Sequence, residues 1–466
     1  MKLRKISIGL LALLLAAMVM VPLVSAAGEK SDTNIVDIQT QGTQERPVML
    51  FDGLSTIVPQ VSNEKGFEIE ISSAIKKYEI VNINVKTLKE KLLSGQKIPI
   101  HLNGTSYIMN LHEDTFYPSA ETGVFTFTGH LESSQDGKEI PGSEAHLTMD
   151  DAGVIGKISL DKNHYYSIDE TATTGKSSSG KAKQYVYYSG DVESRESPMG
   201  EDRYVVLPSG ESKPLSALSA EELKKYISDS GKNNEKMFTT MGLFDWYDVN
   251  ILIVCDNQMY NKYSNWVKRA QSVVSDANSA MSYDDIKIRL VPTYDASKRS
   301  VLSSNFNAAE PLQVFYQYVD NAYLNSKNAD IAMYLSGNQF STCIGAGWGF
   351  HGGPTYGRHA VMMYERSVGG GYGANPQERA NVFTHEVGHL FDADHETIAP
   401  EQESYARATT YDIGSTTYHT LMYSYVTTDP TYFSSDDPHG GISYGDASHD
   451  NSRRLRENKA TVAGYN

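Results

Sequence analysis

Apolar residues follow two different patterns along this chain, and the change between them falls near residue 245. Before that point, alternating, β-branched or aromatic segments are separated by turn residues such as Asn103-Gly104, which predicts β-strands. After it, continuous apolar runs alternate with amphipathic stretches, so we expect a mostly β region followed by alternating strands and helices. The strands predicted in the first region are Arg46–Asp52, Phe67–Ile71, Tyr78–Val85, Ile98–Leu102, Ser106–Leu111, Val124–Leu131 and Val154–Leu160.

The second region begins with the apolar run Val249–Val254, which is typical of a strand buried on both faces of a parallel sheet. Residues from Trp266 to Met281 then carry apolar side chains at helical spacing. Further elements are predicted at Ile286–Val291 (strand), Pro311 (start of a helix), Asp330–Leu335 (strand) and His359–Tyr364 (strand). This β-α-β-α-β order predicts a parallel sheet with covering helices, an α/β (α+β) fold.

One helix in this region has clear start signals. Asn375 is suited to the N-cap, Pro376 to the first helical position and Glu378 to the acidic position of a capping box. Apolar residues then recur on one face, at Ala380, Phe383, Val387 and Phe391. The pattern predicts an amphipathic helix that starts at Pro376 and packs against the core.

This helix carries the sequence H-E-x-x-H. His385 and His389 are one turn apart, so both imidazoles project from the same face and can bind one divalent ion. Glu386, next to the first histidine, is placed to accept a proton from a water on that ion. The same spacing occurs in surface helices that bind no metal, but the capped helix and a third histidine, His395, favour a zinc site.

The stretch from His385 to His395 resembles the metzincin zinc-metallopeptidase signature H-E-x-x-H-x-x-G-x-x-H. Asp392 stands where the family has glycine, at a point where the chain leaves the helix through a left-handed backbone conformation that Asp tolerates. The resemblance implies that His395 is the third zinc ligand. Glu401 and Glu403 follow closely and are the alternatives.

The resemblance to reprolysin/adamalysin-like metzincins implies a catalytic domain over residues 244–466 with a mixed, mostly parallel five-stranded sheet. Gly345, Ala346 and Gly347 would form the edge strand of the substrate cleft, to which a peptide adds as a further strand; an ordinary glycine-rich loop is the alternative. The segment around Met422 resembles the Met-turn below the metal, where Met422 would form an apolar floor; a simple core residue is the alternative.

The first region resembles a reprolysin-type propeptide. This implies a β-rich propeptide domain over residues 27–170. Because Thr171 to Lys183 is rich in Ser, Thr, Gly and Lys, residues 171–243 are interpreted as a linker and activation region. The segments that carry the resemblance are Phe127–Glu132, Ala145–Thr148, Gly153–Gly156 and Tyr166–Asp169.

The N-terminus predicts export. Basic residues precede an apolar run from Ile6 to Val24, and the run ends in the small-residue sequence Val24-Ser25-Ala26. Residues 1–26 are therefore interpreted as a secretory signal peptide, and an uncleaved anchor is the alternative because the run is long. We expect a secreted or extracellular protein, with cell-surface association left open.

Charge excludes some classes of partner. The chain has 41 basic and 57 acidic residues, and removing the three basic residues of the signal peptide leaves 38 against 57, a net charge of −19. Such a surface disfavours nucleic acid and anionic membranes as stable partners. Calcium binding stays open, although no EF-hand loop is present to indicate a site.

The chain has only two cysteines, Cys255 and Cys343, too few for a four-cysteine zinc site. An exported protein can oxidise such a pair, and two buried thiols are the alternative. In a metzincin-like sheet the strand ends that carry them would be neighbours, so we expect a disulfide.

These observations favour a secreted zinc metalloendopeptidase that hydrolyses protein or peptide substrates with metal-activated water and is made as a latent proenzyme. Glu386 would be the general base. The alternative is a catalytically inactive, metal-binding adhesion or binding protein of the cell surface, which would retain the histidines but would not need Glu386.

Latency needs its own explanation, because no cysteine precedes Cys255 and a thiolate ligand from the propeptide is excluded. Asp191, in the sequence Tyr188-Ser189-Gly190-Asp191, resembles the aspartate of astacin-like propeptides. Obstruction of the cleft by the β-rich region is the favoured alternative.

Overall fold

The computed structural model describes most of the chain from residue 48 onward. The described residues are 48–58, 71–161, 163–171, 182–200, 202–206, 212–219, 221–222, 225, 245–263, 265–283, 286–307, 310–340, 343–349, 353–365, 374–397, 403–437 and 442–466. The predicted signal peptide and the predicted strand Phe67–Ile71, except its last residue, lie outside them. Within these ranges no helix combines the length and the apolar character needed to cross a membrane.

An antiparallel sheet of ten strands forms the N-terminal part, in the order β1-β4-β5-β6-β7-β8-β9-β10-β3-β2. Its end strands approach each other, since the backbone N–H of Phe51 donates to the hydroxyl of Ser55 at 2.8 Å, so the sheet is nearly a barrel. The strands are β1 (Met49–Phe51), β2 (Ser55–Ile57), β3 (Glu79–Ile83), β4 (Ile98–Leu102), β5 (Thr105–Glu113), β6 (Phe125–Ser133), β7 (Glu144–Met149), β8 (Val154–Ser159), β9 (Tyr165–Glu170) and β10 (Gln184–Tyr188), with helices α1 (Val85–Leu93) and α2 (Ser119–Thr122).

The sheet continues past the predicted domain end at residue 170. Strand β10 pairs with β9 on one side and with β3 on the other. Tyr185, Val186 and Tyr187 are all buried, so both faces of β10 are covered. Part of the predicted linker therefore closes the N-terminal sheet.

A second sheet has seven strands in the order β13-β12-β17-β18-β16-β14-β15. Its strands are β12 (Arg203–Val206), β13 (Ser212–Pro214), β14 (Tyr247–Cys255), β15 (Ile288–Asp295), β16 (Ile331–Ser336), β17 (Gly345–Trp348) and β18 (His359–Met363). β14, β15, β16 and β18 are parallel, and β17 is antiparallel to β18. The mixed, mostly parallel five-stranded sheet predicted for the second region is confirmed, and two further strands, β12 and β13, extend it.

Helices cover this sheet and short strand pairs complete the fold. The helices are α3 (Asn257–Lys262), α4 (Trp266–Tyr283), α5 (Arg299–Asn305), α6 (Pro311–Tyr318), α7 (Asn321–Ser326), α8 (Gly353–Tyr356), α9 (Pro376–Leu390) and α10 (Asn451–Val462). The remaining elements are β11 (Glu196–Pro198), β19 (Thr410–Ile413), β20 (Thr416–His419), β21 (Tyr425–Thr427) and the 3-10 turns Ser189–Asp191 and Leu215–Ala217. Helix α4 packs against β15 and α9 and also contacts β7 and β8, so it joins the two sheets.

The structure contradicts the predicted Cys255–Cys343 disulfide, because the two cysteines are buried thiols that are not joined to each other. Cys255 ends β14, whereas Cys343 lies just before β17 and forms a β-bridge with Gly200. Strands β18 and β16 separate β17 from β14, which puts about 14 Å between them at the usual strand spacing. A disulfide needs Cα atoms within about 7 Å.

We therefore expect two reactive thiols in the unfolded chain. Alkylation in denaturant without reductant, followed by intact-mass measurement, should add two labels per chain. A chain that takes no label would contain the bridge and would contradict the strand order.

Candidate metal centre and substrate cleft

Helix α9 holds the H-E-x-x-H sequence and begins where the sequence predicts. The side chain of Asn375 accepts a hydrogen bond from the backbone N–H of Glu378 at 2.9 Å, and the Glu378 carboxylate accepts from the N–H of Asn375 at 2.7 Å. This complete capping box fixes the first turn. His385, Glu386 and His389 follow in the last two turns and are all buried.

A sharp turn returns the chain to the metal face after α9. Asp392 has φ +69°, the left-handed conformation expected at this position. Its carboxylate is fully buried and pairs with Arg454 Nη2 of α10 at 2.5 Å. The turn brings the His395 ring to within 5.0 Å of the His389 ring, measured between centroids. Asp392 thus supplies both the conformation of the family glycine and a link to α10.

We expect Asp392→Asn to lower the free energy of unfolding by about 3 kcal/mol, because it breaks a buried ion pair while Asn still tolerates the left-handed conformation. Chemical denaturation of the unprocessed chain would measure the change. Asp392→Gly is the matched variant, since it restores the family residue but also removes the carboxylate. An unchanged denaturation midpoint in both would contradict a structural role for the pair with Arg454.

Three histidines and one aspartate converge on a single point. His385, His389, His395 and Asp202 each offer one ligand atom, and these atoms lie within 4.8 Å of one another. His385 Nε2 lies 3.2 Å from His395 Nε2. Asp202 Oδ2 lies 3.4 Å from the Nε2 of His385 and 3.3 Å from that of His395.

These separations fit one small tetrahedral ion. Zinc–nitrogen and zinc–oxygen bonds of about 2.0–2.1 Å place the ligand atoms of a tetrahedron about 3.3 Å apart. In addition, His389 Nε2 and Asp202 Oδ2 are buried and have no hydrogen-bond partner among the described residues. Buried polar atoms normally have partners. A metal ion with nitrogen and oxygen ligands would satisfy these atoms together.

Backbone carbonyls orient two of the imidazoles. The carbonyl of Leu421 accepts from His385 Nδ1 at 2.8 Å, and that of Ala393 accepts from His389 Nδ1 at 3.1 Å. Because a carbonyl can only accept, each Nδ1 carries the proton and each Nε2 presents its lone pair to the common point. Metal-binding histidines are usually held in this way.

The charges at the centre favour a cation. Burial opposes ionisation of Asp202, but the imidazoles of His395, His385 and His389 hold the pKa of its carboxyl well below the usual value. Burial also disfavours the charged form of His395, yet the Asp202 carboxylate raises the pKa of His395 to about 9. The buried Asp202 carboxylate therefore stabilises positive charge at the point where the imidazoles converge.

Glu386 lies between the histidines and strand β17. Its two carboxylate oxygens are buried without a hydrogen-bond partner among the described residues. Burial, and then the charge of Asp202, raise the pKa of Glu386 well above its usual value. A Cβ on Gly345 would come within 2.2 Å of a Glu386 carboxylate oxygen, so glycine lets the strand lie against this side chain, and a Cβ on Gly347 would come within 3.2 Å of His389 Cβ. The glycine-rich segment therefore passes directly over the catalytic helix.

A segment preceding the second region occupies the edge of this cleft. Strand β12 pairs in parallel with β17, and the backbone N–H of Gly347 donates to the Asp202 carbonyl at 2.8 Å. On the opposite side, β11 pairs with β21, and the N–H of Met199 donates to the Ser424 carbonyl at 3.0 Å. Described residues between 196 and 206 thus pair with both walls and place Asp202 at the histidines between them.

The aspartate suggested by the sequence is not the one at the metal centre. Asp191 lies in the 3-10 turn Ser189–Asp191 and is absent from the metal-binding cluster of the described residues. The hypothesis for Asp191 is wrong, and Asp202 occupies the position. The only local signal was Asp202 itself, an acidic residue two positions after Gly200 and just before the apolar residues of β12. Acidic residues near a glycine are common in turns, so this signal is weak.

The other predicted residues have clear positions. Met422 is buried beneath α9, where a Cβ on Gly388 would come within 2.5 Å of its sulfur. Gly345, Ala346 and Gly347 all lie on β17. Among the alternative third ligands, Glu403 is exposed and lies outside the cluster, and Glu401 lies outside the described residues.

The family model described as Metallo-peptidase family M12 (Reprolysin_5) matches residues 246–434, which include the histidines, Glu386 and Met422. Residues 246–434 are a reprolysin-like M12 metallopeptidase domain. This confirms the predicted metzincin relationship, and the metal site is the three-histidine type of zinc metzincins.

Two solved structures are similar to the chain. One is the crystal structure of metalloproteinase-II from Bacteroides fragilis, with 10% identity and a TM-score of 0.39, over 76% of this chain and 92% of that one. The other is a chain in the structure of a chaperone–substrate complex, with 15% identity and a TM-score of 0.37. That match covers 48% of this chain and 35% of the other chain, so this chain spans about a third of the other chain's length. No curated protein matches the chain.

Proposed function

We propose that the chain is a secreted zinc-dependent endopeptidase made as a latent proenzyme. The observation that carries the proposal is the convergence of His385, His389 and His395 beside Glu386, directly below a strand edge that a peptide can pair with. The three imidazoles would hold zinc, and a bound zinc ion would supply Lewis acidity to the attacking water and the scissile carbonyl.

The protein's own groups supply binding and proton transfer. Strand β17 offers backbone hydrogen bonds along its outer edge, where the N–H of Gly347 already binds a carbonyl of the chain itself. Glu386 would accept the proton of the attacking water and pass it to the leaving amine. Met422 would keep the floor below the histidines apolar without binding the metal.

Latency follows from the same cleft. The Asp202 carboxylate takes the fourth corner of the histidine site, where the attacking water would have to lie. Pairing of β11 and β12 with the two walls covers the edge that a substrate would use. We infer that the N-terminal sheet and residues up to 206 act as a propeptide, and that a cut on the C-terminal side of residue 206, within the predicted activation region that ends at Leu243, removes the block.

The adhesion or binding protein remains the second candidate. Such a protein would need the metal ligands but would not need a buried carboxylate at position 386. The unpaired burial of Glu386 is unfavourable for folding, and a binding protein without a general base would gain nothing from this carboxylate, so the geometry favours the enzyme.

Cleavage of a denatured protein separates the two candidates. The full chain, processed by limited proteolysis and supplied with one equivalent of zinc, should degrade denatured casein, and a chelator should stop this. A processed chain that binds one zinc ion per molecule but leaves the casein intact would favour the binding protein.

A further inference from the structure

A buried group of ion pairs joins the N-terminal sheet to the metallopeptidase domain, away from the metal centre. Asp169 ends the Tyr166–Asp169 segment and is fully buried. Its Oδ1 lies 3.1 Å from Arg269 Nη1, and its Oδ2 lies 3.0 Å from Arg379 Nη1. One carboxylate therefore joins two arginines, one on α4 and one on α9, the helix of the zinc motif.

The next residue, Glu170, extends this contact. Its Oε1 lies 2.7 Å from Lys268 Nζ, which also lies 2.9 Å from Asp150 Oδ1. Its backbone carbonyl accepts from Arg269 Nη2 at 2.5 Å. Side-chain exposure is 0% for Lys268 and 2% for Glu170, so these charges are removed from water. We call Lys268, Arg269 and Arg379 the cationic socket.

The metallopeptidase domain itself orients the socket. The Arg269 guanidinium lies over the Tyr263 ring at 4.0 Å, and that of Arg379 lies over Tyr364 at 4.8 Å. Both tyrosines belong to the same domain as the arginines. Stacking on an aromatic ring fixes a guanidinium and favours it energetically. Contacts within the metallopeptidase domain therefore contribute to the orientation of both arginines.

The socket also has spare hydrogen-bond donors. The Nε atoms of Arg269 and Arg379 are buried and have no partner among the described residues. Glu365 lies 3.5 Å from Arg379 Nη2, but it is also paired with Lys262 at 3.0 Å. An arginine fork with unused donors is suited to bind a carboxylate bidentately.

The position of the socket separates it from the reaction. Arg379 precedes His385 by six residues on α9, which is about 9 Å along the helix axis. A ligand in the socket would therefore not contact the metal ligands.

We propose that the cationic socket of the processed enzyme binds two adjacent acidic residues of a protein substrate and so recruits that substrate to the cleft. The Asp169-Glu170 pair of the propeptide occupies the site in the latent chain and shows the ligand chemistry that fits. This proposal rests on removal of the propeptide in the proposed function, but binding itself needs neither zinc nor Glu386.

The test uses a fluorescent peptide with the sequence of residues 166–171, Tyr-Ser-Ile-Asp-Glu-Thr, and a neutral twin with Asn and Gln at the two acidic positions. Full-length protein carrying Glu386→Gln is processed by limited proteolysis, and the N-terminal sheet is removed by chromatography in high salt. Fluorescence anisotropy in low salt should show the acidic peptide binding about tenfold more tightly than its twin. Equal binding of the two peptides overturns the proposal, as does an N-terminal sheet that stays bound in high salt.

Matched lysine variants locate the binding. Lys268→Gln should weaken binding of the acidic peptide by about tenfold. Lys327→Gln should leave the affinity for this peptide unchanged, because the partner of Lys327 is Asp295 of the same domain. The comparison of the two peptides on the parent protein remains decisive if Lys268→Gln does not fold. Equal loss in both variants would indicate general charge attraction and overturn the site.

Cleavage kinetics test the recruiting role. A substrate with an Asp-Glu pair distant from its scissile bond should have a KM about tenfold lower than the Asn-Gln version, with kcat unchanged. Lys268→Gln should abolish the difference. If the acidic peptide binds but KM does not respond, the socket serves only to hold the propeptide and the recruiting role is wrong. If the processed protein cleaves no substrate but still binds the acidic peptide, the proposed peptidase function is rejected and the proposed binding site stands.

Discussion

Unprocessed chain carrying Asp202→Ala should cleave denatured protein at least about 30-fold faster than the unprocessed parent. Asp202 brings a buried charge to the fourth corner of the histidine site, and loss of one such buried charge contact costs about 2–5 kcal/mol. The variant should remain slower than the processed enzyme, because β12 still pairs with β17. Cleavage of fluorescent casein before any processing, with intact mass checked by gel, measures the effect.

Asp191→Ala provides the control for this prediction. Asp191 belongs to the same segment before the second region but lies outside the metal-binding cluster, so its removal should leave latency unchanged. Asp202→Asn is a further control, since it keeps the side-chain shape and removes the charge. If Asp202→Ala binds zinc and is still fully latent, strand pairing alone blocks the cleft and Asp202 has no part in latency.

Processed chain carrying Glu386→Gln should lose peptide cleavage by a factor of about 10²–10⁴ while it retains one zinc ion. Glutamine fits the same space below Gly345 but cannot accept the proton of the attacking water. The comparison needs the metal content of both proteins, measured by atomic absorption after dialysis. Because the metal ligands do not change, zinc content should match the parent, and thermal unfolding should occur at the same or a higher temperature since a buried unpaired carboxylate is replaced by a neutral amide.

A contrasting variant distinguishes loss of the base from loss of the metal. His395→Ala should lower zinc affinity as well as cleavage, because the third imidazole is removed. Near-normal turnover in Glu386→Gln would reject its role as base. Unchanged zinc content in His395→Ala would show that another group completes the site.

Local signals in the sequence were sufficient for the catalytic helix. Asn375, Pro376 and Glu378 specify its start through hydrogen bonds within four residues, and the histidine spacing follows from the helical period. The conformation of Asp392 was also predictable, since few other residues tolerate a left-handed backbone. Sequence and structure agree where the residues that determine the conformation lie within one or two helical turns of each other.

The block across the cleft depends on distant parts of the chain. Strands β11 and β12 have three and four residues, and their partners β21 and β17 lie far along the sequence. Strands this short have almost no periodicity to detect, so Asp202 could not be distinguished from other acids in turns. The disulfide prediction failed for the same reason, because the strand order of the sheet is a tertiary property.

We expect His385, His389, His395 and Asp202 together to hold one zinc ion in the unprocessed chain. Anomalous diffraction at the zinc edge, from crystals of the unprocessed chain grown with zinc, is the decisive measurement. The map should show a single strong peak bonded to the Nε2 atoms of the three histidines and to a carboxylate oxygen of Asp202. A map without a peak among the histidines, or with Asp202 turned away from it, would show that these four side chains do not form one zinc site.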